Sequence, residues 1–187
     1  LNVDHTDRTI ELTQVGLIDR IVFAMGLTDA TEVKTPAEYG ALQKDEDGEN
    51  CDTSFNHPSI VGMLLYLQNN TRPDITFAVS QCARYTFCPK LSHEKALKRI
   101  GRYLKGTNTK GLIMKPHPDL NIDCYVDSDF VDLWEYEDSQ DPTCVRSRTG
   151  YTIMIGGCPV LWSSKLQTEI ALSTMEAEYI AVSTSSK

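Results

Sequence analysis

The stretch N-I-D-C-Y-V-D-S-D-F, residues 121–130, limits what this chain can fold into more than any other. Ile122, Cys124, Val126 and Phe130 alternate with Asp123, Asp127 and Asp129. A two-residue period belongs to extended backbone, whose successive side chains point to opposite faces. The segment therefore predicts a strand with one apolar face and one carrying three carboxylates. Such an acidic face is either solvated surface or a place where a hard cation is held by oxygen.

About fifty residues later comes a second acidic piece, S-T-M-E-A-E-Y-I-A-V. Ser173 and Glu176 have the spacing of a capping box, and neither Pro nor Gly interrupts Thr174 to Lys187, which predicts a helix from Ser173 onward to Lys187. Glu176 and Glu178 lie two residues apart, about 200° around a helix, so both cannot face the strand. With Glu176 committed to the cap, Glu178 is the carboxylate left to meet Asp127.

At 187 residues and 41% hydrophobic content the chain can bury a core and fits one or two domains. No run has the length of a bilayer-spanning apolar segment. The opening L-N-V-D-H-T-D-R lacks the basic start and apolar centre of a signal peptide. The expectation is a soluble, intracellular protein without a membrane partner. Its six cysteines are scattered, with no C-x-x-C and no His at zinc-ligand spacing, and read as reduced thiols.

The formal charge of −8 argues against general nucleic-acid affinity, yet it hides an asymmetry. From Arg84 to Lys115 nine basic residues stand against Glu94 alone. A basic block inside an acidic chain suits contact with a polyanion. Most of the block lies in H-E-K-A-L-K-R-I-G-R-Y-L-K, where Leu97, Ile100 and Leu104 make a buried stripe. Lys95, Lys98, Arg99, Arg102 and Lys105 occupy the remaining surface as candidate phosphate contacts, with a solvated basic face as the plainer reading.

In chain order, Thr9 to Leu12 predicts a short extended piece and Thr13 an N-cap for a helix through Met25, stopped by Gly26. Residues 28–56 are polar and aperiodic and predict a long surface loop. Pro58 opens an apolar helix, broken at Asn69-Asn70-Thr71-Arg72-Pro73, and Asp74 to Tyr85 returns to helical spacing. Ser92 is a candidate N-cap for the basic helix, which Gly106 closes. Gly111 to Met114 predicts a strand, and Pro116-His117-Pro118 a domain boundary. After the acidic strand comes an acid- and Pro-rich loop from Asp132 to Pro142. A hairpin follows, with Gly150 to Ile155 and Pro159 to Ser163 joined by Gly156-Gly157.

The ordered runs S-I-V-G-M-L-L-Y-L, T-R-P-D-I-T-F-A-V-S, H-E-K-A-L-K-R-I-G-R-Y-L-K-G-T, Y-V-D-S-D-F, R-S-R-T-G-Y, W-S-S-K-L-Q and A-L-S-T-M-E-A-E-Y-I-A resemble the C-terminal part of a copia-type LTR-retrotransposon Pol polyprotein. The resemblance covers nearly the whole chain. It implies an α+β or α/β architecture. Residues 1–115 would be a mostly helical thumb or connection region of a reverse transcriptase, and 121–187 the first half of a ribonuclease H, with three strands and the first helix. By the same resemblance Asp127 matches the first catalytic aspartate and Glu178 the catalytic glutamate, both as ligands of Mg²⁺.

The implied chemistry is cleavage of the RNA strand of an RNA–DNA hybrid by two Mg²⁺ ions, which hard-cation coordination matches to carboxylates. The implied partners are hybrid or other nucleic acid and the remainder of the polyprotein. The implied setting is cytoplasm or nucleus, inside a virus-like particle for an intact element. The family's third and fourth catalytic aspartates and its polymerase aspartates have no counterpart in this sequence, so the expectation is a chain inactive alone. Without the family's later strands, residues 121–130 are expected to form a sheet edge with an uncovered apolar face, prone to association. Val131-Asp132 replaces the small residues usual after Asp129 in that family. A non-catalytic nucleic-acid-binding remnant of a decayed element is the alternative, and an inert reading frame predicts neither binding nor cleavage.

Overall fold

A computed structural model of the 187-residue chain describes residues 2–4, 7–38, 40–52, 54–130 and 144–186. The expected loop from Asp132 to Pro142 and the Val131-Asp132 departure lie outside the described residues. The fold is mixed α+β, with strands Asn2–Asp4 (β1), Thr9–Leu12 (β2), Leu112–Met114 (β3), Ile122–Asp129 (β4), Arg148–Ile155 (β5) and Cys158–Leu166 (β6). The α-helices are Val15–Ala24 (α1), His57–Asn70 (α2), Thr76–Ala83 (α3), Leu91–Lys105 (α4) and Thr174–Ser185 (α5). β1, β2 and β3 form one small sheet in that order, and β4, β5 and β6 another. No helix among the described residues is long and apolar enough to cross a membrane.

The chain divides into two compact units, residues 1–2 with 11–112 and residues 3–10 with 113–187. The first is a helical unit. Ile18, Ile21, Leu64, Leu67, Leu97 and Ile100 bring one face each of α1, α2 and α4 into a common core, fully buried or nearly so. The expected stripe of Leu97, Ile100 and Leu104 is entirely excluded from solvent. Gly26, at φ +68°, supplies the left-handed residue that ends α1.

Two expected caps are corrected. α1 starts one residue later than Thr13 allows: its N-cap is Gln14, whose side-chain oxygen accepts from Thr71 Oγ1 at 2.8 Å instead of capping. α4 is not capped by Ser92, whose hydroxyl donates to Asp45 Oδ2. The helix begins after Lys90, and His93 Nδ1 accepts the Lys90 backbone N–H at 2.9 Å, the part that Glu or Gln at that position plays in a capping box. Asn56 caps α2 by accepting from Ser59 N at 3.1 Å. The helical reading of Asp74 to Tyr85 resolves into a 3₁₀ turn, Pro73–Ile75, leading into α3.

One side chain organises the turn between α2 and α3. Arg72 is 1% exposed. Its Nε and Nη2 donate to both carboxylate oxygens of Asp74 at 2.9 and 2.7 Å, and Nη1 and Nη2 to the carbonyl and hydroxyl of Thr107 at 3.0 and 2.8 Å. The Tyr103 hydroxyl donates to Asp74 at 2.8 Å. Burial pushes the Asp74 carboxyl up, but the hydrogen bonds from Arg72 and Tyr103 outweigh it and hold the group below the usual carboxylate range.

The second unit is built on the antiparallel sheet β4-β5-β6 with α5 packed against β4 and β5. The tight turn between β5 and β6 sits at Gly156 and Gly157, with φ of +55° and +79°, the region that glycine enters without steric cost. Among the described residues β4 and β6 are the two end strands of this sheet. Large apolar side chains remain open on it and on α5: Ile122 and Tyr125 are 72% and 64% exposed, Met175 and Tyr179 79% and 77%. The interior of this unit is accordingly made of small or polar groups, among them Ala177, Ala181, Thr149 and Gln167.

Candidate functional site

Asp127 lies on β4, opposite Gly150 of β5, which in turn pairs with Ser164 of β6. Glu178 lies on the second turn of α5. Both carboxylates are exposed. The cap assigned to Ser173 forms: its hydroxyl accepts from Glu176 N at 3.2 Å. Glu176 is committed there as expected, although its Oε2 reaches back one residue further than a capping box requires, accepting from Leu172 N at 2.7 Å.

What fixes α5 to the sheet is Gln167, just beyond β6. Its buried amide Nε2 donates to Thr149 Oγ1 at 3.0 Å, Ser128 Oγ at 3.3 Å and the Ala177 carbonyl at 2.9 Å. Ser128 and Thr149 are register partners, so α5 covers the face to which both point. Strand alternation turns Asp127 and its partner Gly150 to the opposite face. Asp127 and Glu178 thus sit on packed elements but start from different sides of the sheet plane.

The donor set was tested against a hard cation, which takes six or more oxygens. Among the described residues no group of three or more His, Cys, Asp or Glu side chains is disposed to hold a metal ion. Asp127 and Glu178 alone do not make a complete Mg²⁺ site.

The basic helix differs from a free phosphate-binding face. Lys98 Nζ donates to Glu94 Oε1 at 2.6 Å and lies 5.3 Å from the centre of the Phe55 ring. Arg99 Nη1 donates to Glu38 at 2.9 Å and its Nη2 to Thr35 Oγ1 at 3.0 Å. Arg102 Nε donates to the Thr31 carbonyl at 2.5 Å, and Lys105 Nζ to the Ala30 carbonyl at 2.8 Å. Four of the five candidate cations are therefore engaged inside the unit, three of them by residues 30–38, and only Lys95 has no partner among the described residues. The spacing of the helix gave their common surface correctly but carried no information on what a loop some sixty to seventy-five residues upstream would lay across it.

Glu94, almost fully buried, belongs to the same arrangement. Burial pushes it up, but the hydrogen bonds from Lys98 and Cys51 outweigh that and hold it below its ordinary range. Burial, then Glu94, pushes the Cys51 thiol up to about 11, so Cys51 stays a hydrogen-bond donor at neutral pH. Arg99→Glu is expected to lift the loop from α4. Losing two charge-assisted bonds at a half-open site should raise amide exchange across residues 30–38 about tenfold. Unchanged exchange there would show that Arg102, Lys105 and the apolar contacts hold the loop without Arg99.

The retrovirus-related Pol polyproteins from transposon RE1 of Arabidopsis thaliana and transposon TNT 1-94 of Nicotiana tabacum are 33% and 34% identical to this chain over 95% and 98% of its length. The chain spans 12% and 14% of those two polyproteins. The secreted RxLR effector protein 161 of Plasmopara viticola is 37% identical over 67% of this chain, which spans 82% of that protein. No family model matches the chain. No solved structure matches it either.

Proposed function

We propose, from its 33% and 34% identity over nearly its whole length to retrovirus-related Pol polyproteins of transposons, that the chain is the segment where the helical end of a copia-type reverse transcriptase passes into the first half of its ribonuclease H. Within the whole polyprotein this segment handles an RNA–DNA hybrid, and Asp127 and Glu178 contribute to Mg²⁺-dependent cleavage of the RNA strand. Bound Mg²⁺ supplies an activated water and charge neutralisation at the leaving oxygen. The residues of this chain supply part of the carboxylate set, and the rest of that set comes from elsewhere in the polyprotein.

The observation that carries this reading is an acidic end strand and a capped helix on one small sheet: Asp127 on β4, turned to the face away from α5, and Glu178 on α5, which Gln167 holds to that sheet. Among the described residues β4 pairs with β5 alone, which suits a sheet completed by further strands. The alternative, a non-catalytic nucleic-acid-binding remnant, draws on the basic helix, most of whose cations already have partners within the unit.

The test is hybrid cleavage by this chain alone and by the chain joined to the remainder of its polyprotein. Alone it is expected to cleave nothing measurable. Joined, it should cleave with Mg²⁺, and Asp127→Asn should lower the rate at least about a hundredfold, as loss of several kcal/mol of transition-state stabilisation requires. Full activity of the joined Asp127→Asn protein would remove the nuclease role. Turnover by the isolated chain that needs Mg²⁺ and Asp127 would show that the carboxylate set is already complete.

A further inference from the structure

Two histidines of the helical unit, His57 and His93, are 1% and 0% exposed and stand in the first turns of α2 and α4. The N-terminal turn of a helix carries a partial positive charge, so both places disfavour a cationic ring. His93 is further held to one protonation state by its own hydrogen bonds. Its Nδ1 accepts the Lys90 N–H at 2.9 Å, so the single ring proton sits on Nε2, which donates to the Gln43 carbonyl at 2.8 Å. A second proton would have to enter at Nδ1, where it would meet the Lys90 N–H.

His57 is kept neutral by a different means. Neither of its ring nitrogens has a hydrogen-bond partner among the described residues, and the ring stands edge-on to Phe55, 6.4 Å between centres. Burial, then the nearby His93, holds it below the ordinary histidine range against a smaller pull from Glu94. The charged groups around the pair are already engaged. Glu94 accepts from Lys98 Nζ at 2.6 Å and from Cys51 Sγ at 3.2 Å, Asp45 accepts from the Ser92 hydroxyl, and Lys44 pairs with Glu46 at 2.7 Å. Lys90 Nζ donates to Asn50 Oδ1 at 3.2 Å, and Arg84 lies 5.1 Å from the centre of the Tyr85 ring.

What these rings help to hold is the segment 42–51. His93 takes the Gln43 carbonyl, and Tyr85, stacked on His93 at 4.2 Å, donates its hydroxyl to the Leu42 carbonyl at 2.7 Å. Farther on, Leu91 N donates to Glu49 O at 2.8 Å and Cys51 N to Pro89 O at 3.3 Å. We propose that His93 and His57 form a proton-operated latch: neutral, they keep residues 42–51 closed on the start of α4, and in mild acid they release that segment. The closed state binds fewer protons than the open one. Its stability is therefore complete above the ordinary imidazole value, about 6.5, and falls as pH drops below it. Asp74 and Glu94 act only near and below the carboxylate range, about 4, so the two windows are separate. The proposal is independent of the nuclease reading.

Amide protection of residues 42–51, corrected for intrinsic exchange, tests it at about pH 7.5 and about pH 5.5. A ring that stays neutral in the closed state and titrates near 6.5 in the open one raises the opening equilibrium about tenfold over that interval. Protection should then fall about a hundredfold in the unaltered chain and about tenfold in His93→Gln, whose amide can take the Lys90 N–H without gaining a proton. His93→Gln combined with His57→Leu should lose none. A fall below about threefold in the unaltered chain, or an undiminished fall in the double variant, overturns the latch. Should the double variant not fold, ring-proton shifts of the unaltered chain decide. Neutral shifts for His57 and His93 while protection of residues 42–51 falls support the latch, and rings that take up protons with protection unchanged overturn it.

Discussion

Arg72→Ala should leave the helical unit unfolded or nearly so at temperatures where the unaltered chain is folded, a loss of about 3–5 kcal/mol. The reason is the number of groups that depend on one guanidinium. Its removal strips Asp74 of a two-point partner and Thr107 of two donors, and leaves a void where a fully buried side chain stood. Arg72→Lys should rescue little, because a single ammonium cannot reproduce the fork that meets Asp74 and Thr107 together.

The measurement is thermal or denaturant unfolding followed by circular dichroism, and an unaltered midpoint for Arg72→Ala would sink the claim. The same cluster sets a pH dependence. Asp74 is held below its ordinary range, so its contribution is complete above the unfolded carboxylate pKa, about 4, and disappears as pH falls through the folded value. Glu94, depressed in the same sense, adds to the loss. Acid should therefore unfold this unit, and Asp74→Asn should flatten the profile.

Gln167→Ala is the matching experiment in the sheet unit. The amide links strand β4 through Ser128, strand β5 through Thr149 and helix α5 through the Ala177 carbonyl, while the Gln167 backbone N–H donates to Ser147 O at 2.8 Å. Thr149 and Ala177 are buried, so truncation strands acceptors that water cannot reach, at about 1–3 kcal/mol each. Amide exchange in α5 should accelerate at least about tenfold relative to β5, since ten-fold in an equilibrium corresponds to roughly 1.4 kcal/mol. In the joined polyprotein the variant should also lose hybrid cleavage, because Glu178 rides on the helix that comes loose. Normal protection of α5 in Gln167→Ala would mean that Ala177 and Ala181 dock it unaided.

These two residues also show where the sequence stops being readable. T-R-P-D and W-S-S-K-L-Q served as letters of a resemblance, but nothing in their spacing said that Arg72 would be buried or that Gln167 would touch three elements. Both make contacts with residues far along the chain, Thr107 in one case and Ser128 in the other. Local periodicity carries no such information. It did carry the elements themselves: the alternation of residues 122–129, the Gly156-Gly157 turn and the stripe on α4 all correspond to structure, since each is set by neighbours two to four residues away. Thr13 and Ser92 failed as caps partly for the same reason, since Gln14 is taken by Thr71 and Ser92 by Asp45, both far along the chain. Helix ends also accept several chemistries, and at α4 the imidazole of His93 takes the Lys90 N–H. Asp127 and Glu178 were singled out by type, spacing and resemblance, whereas the face each takes depends on which side of the sheet α5 packs.

The loop across α4 also changes what ionic strength does to this molecule. Arg99 with Glu38 is screened by the same ions that would compete with a nucleic-acid phosphate. Added salt slackens the protein's own strap while it weakens any grip on a polyanion, so a plot of affinity against the logarithm of salt reads two equilibria at once. Its slope then cannot be equated with a number of displaced counterions until the strap has been severed, as Arg99→Glu would do.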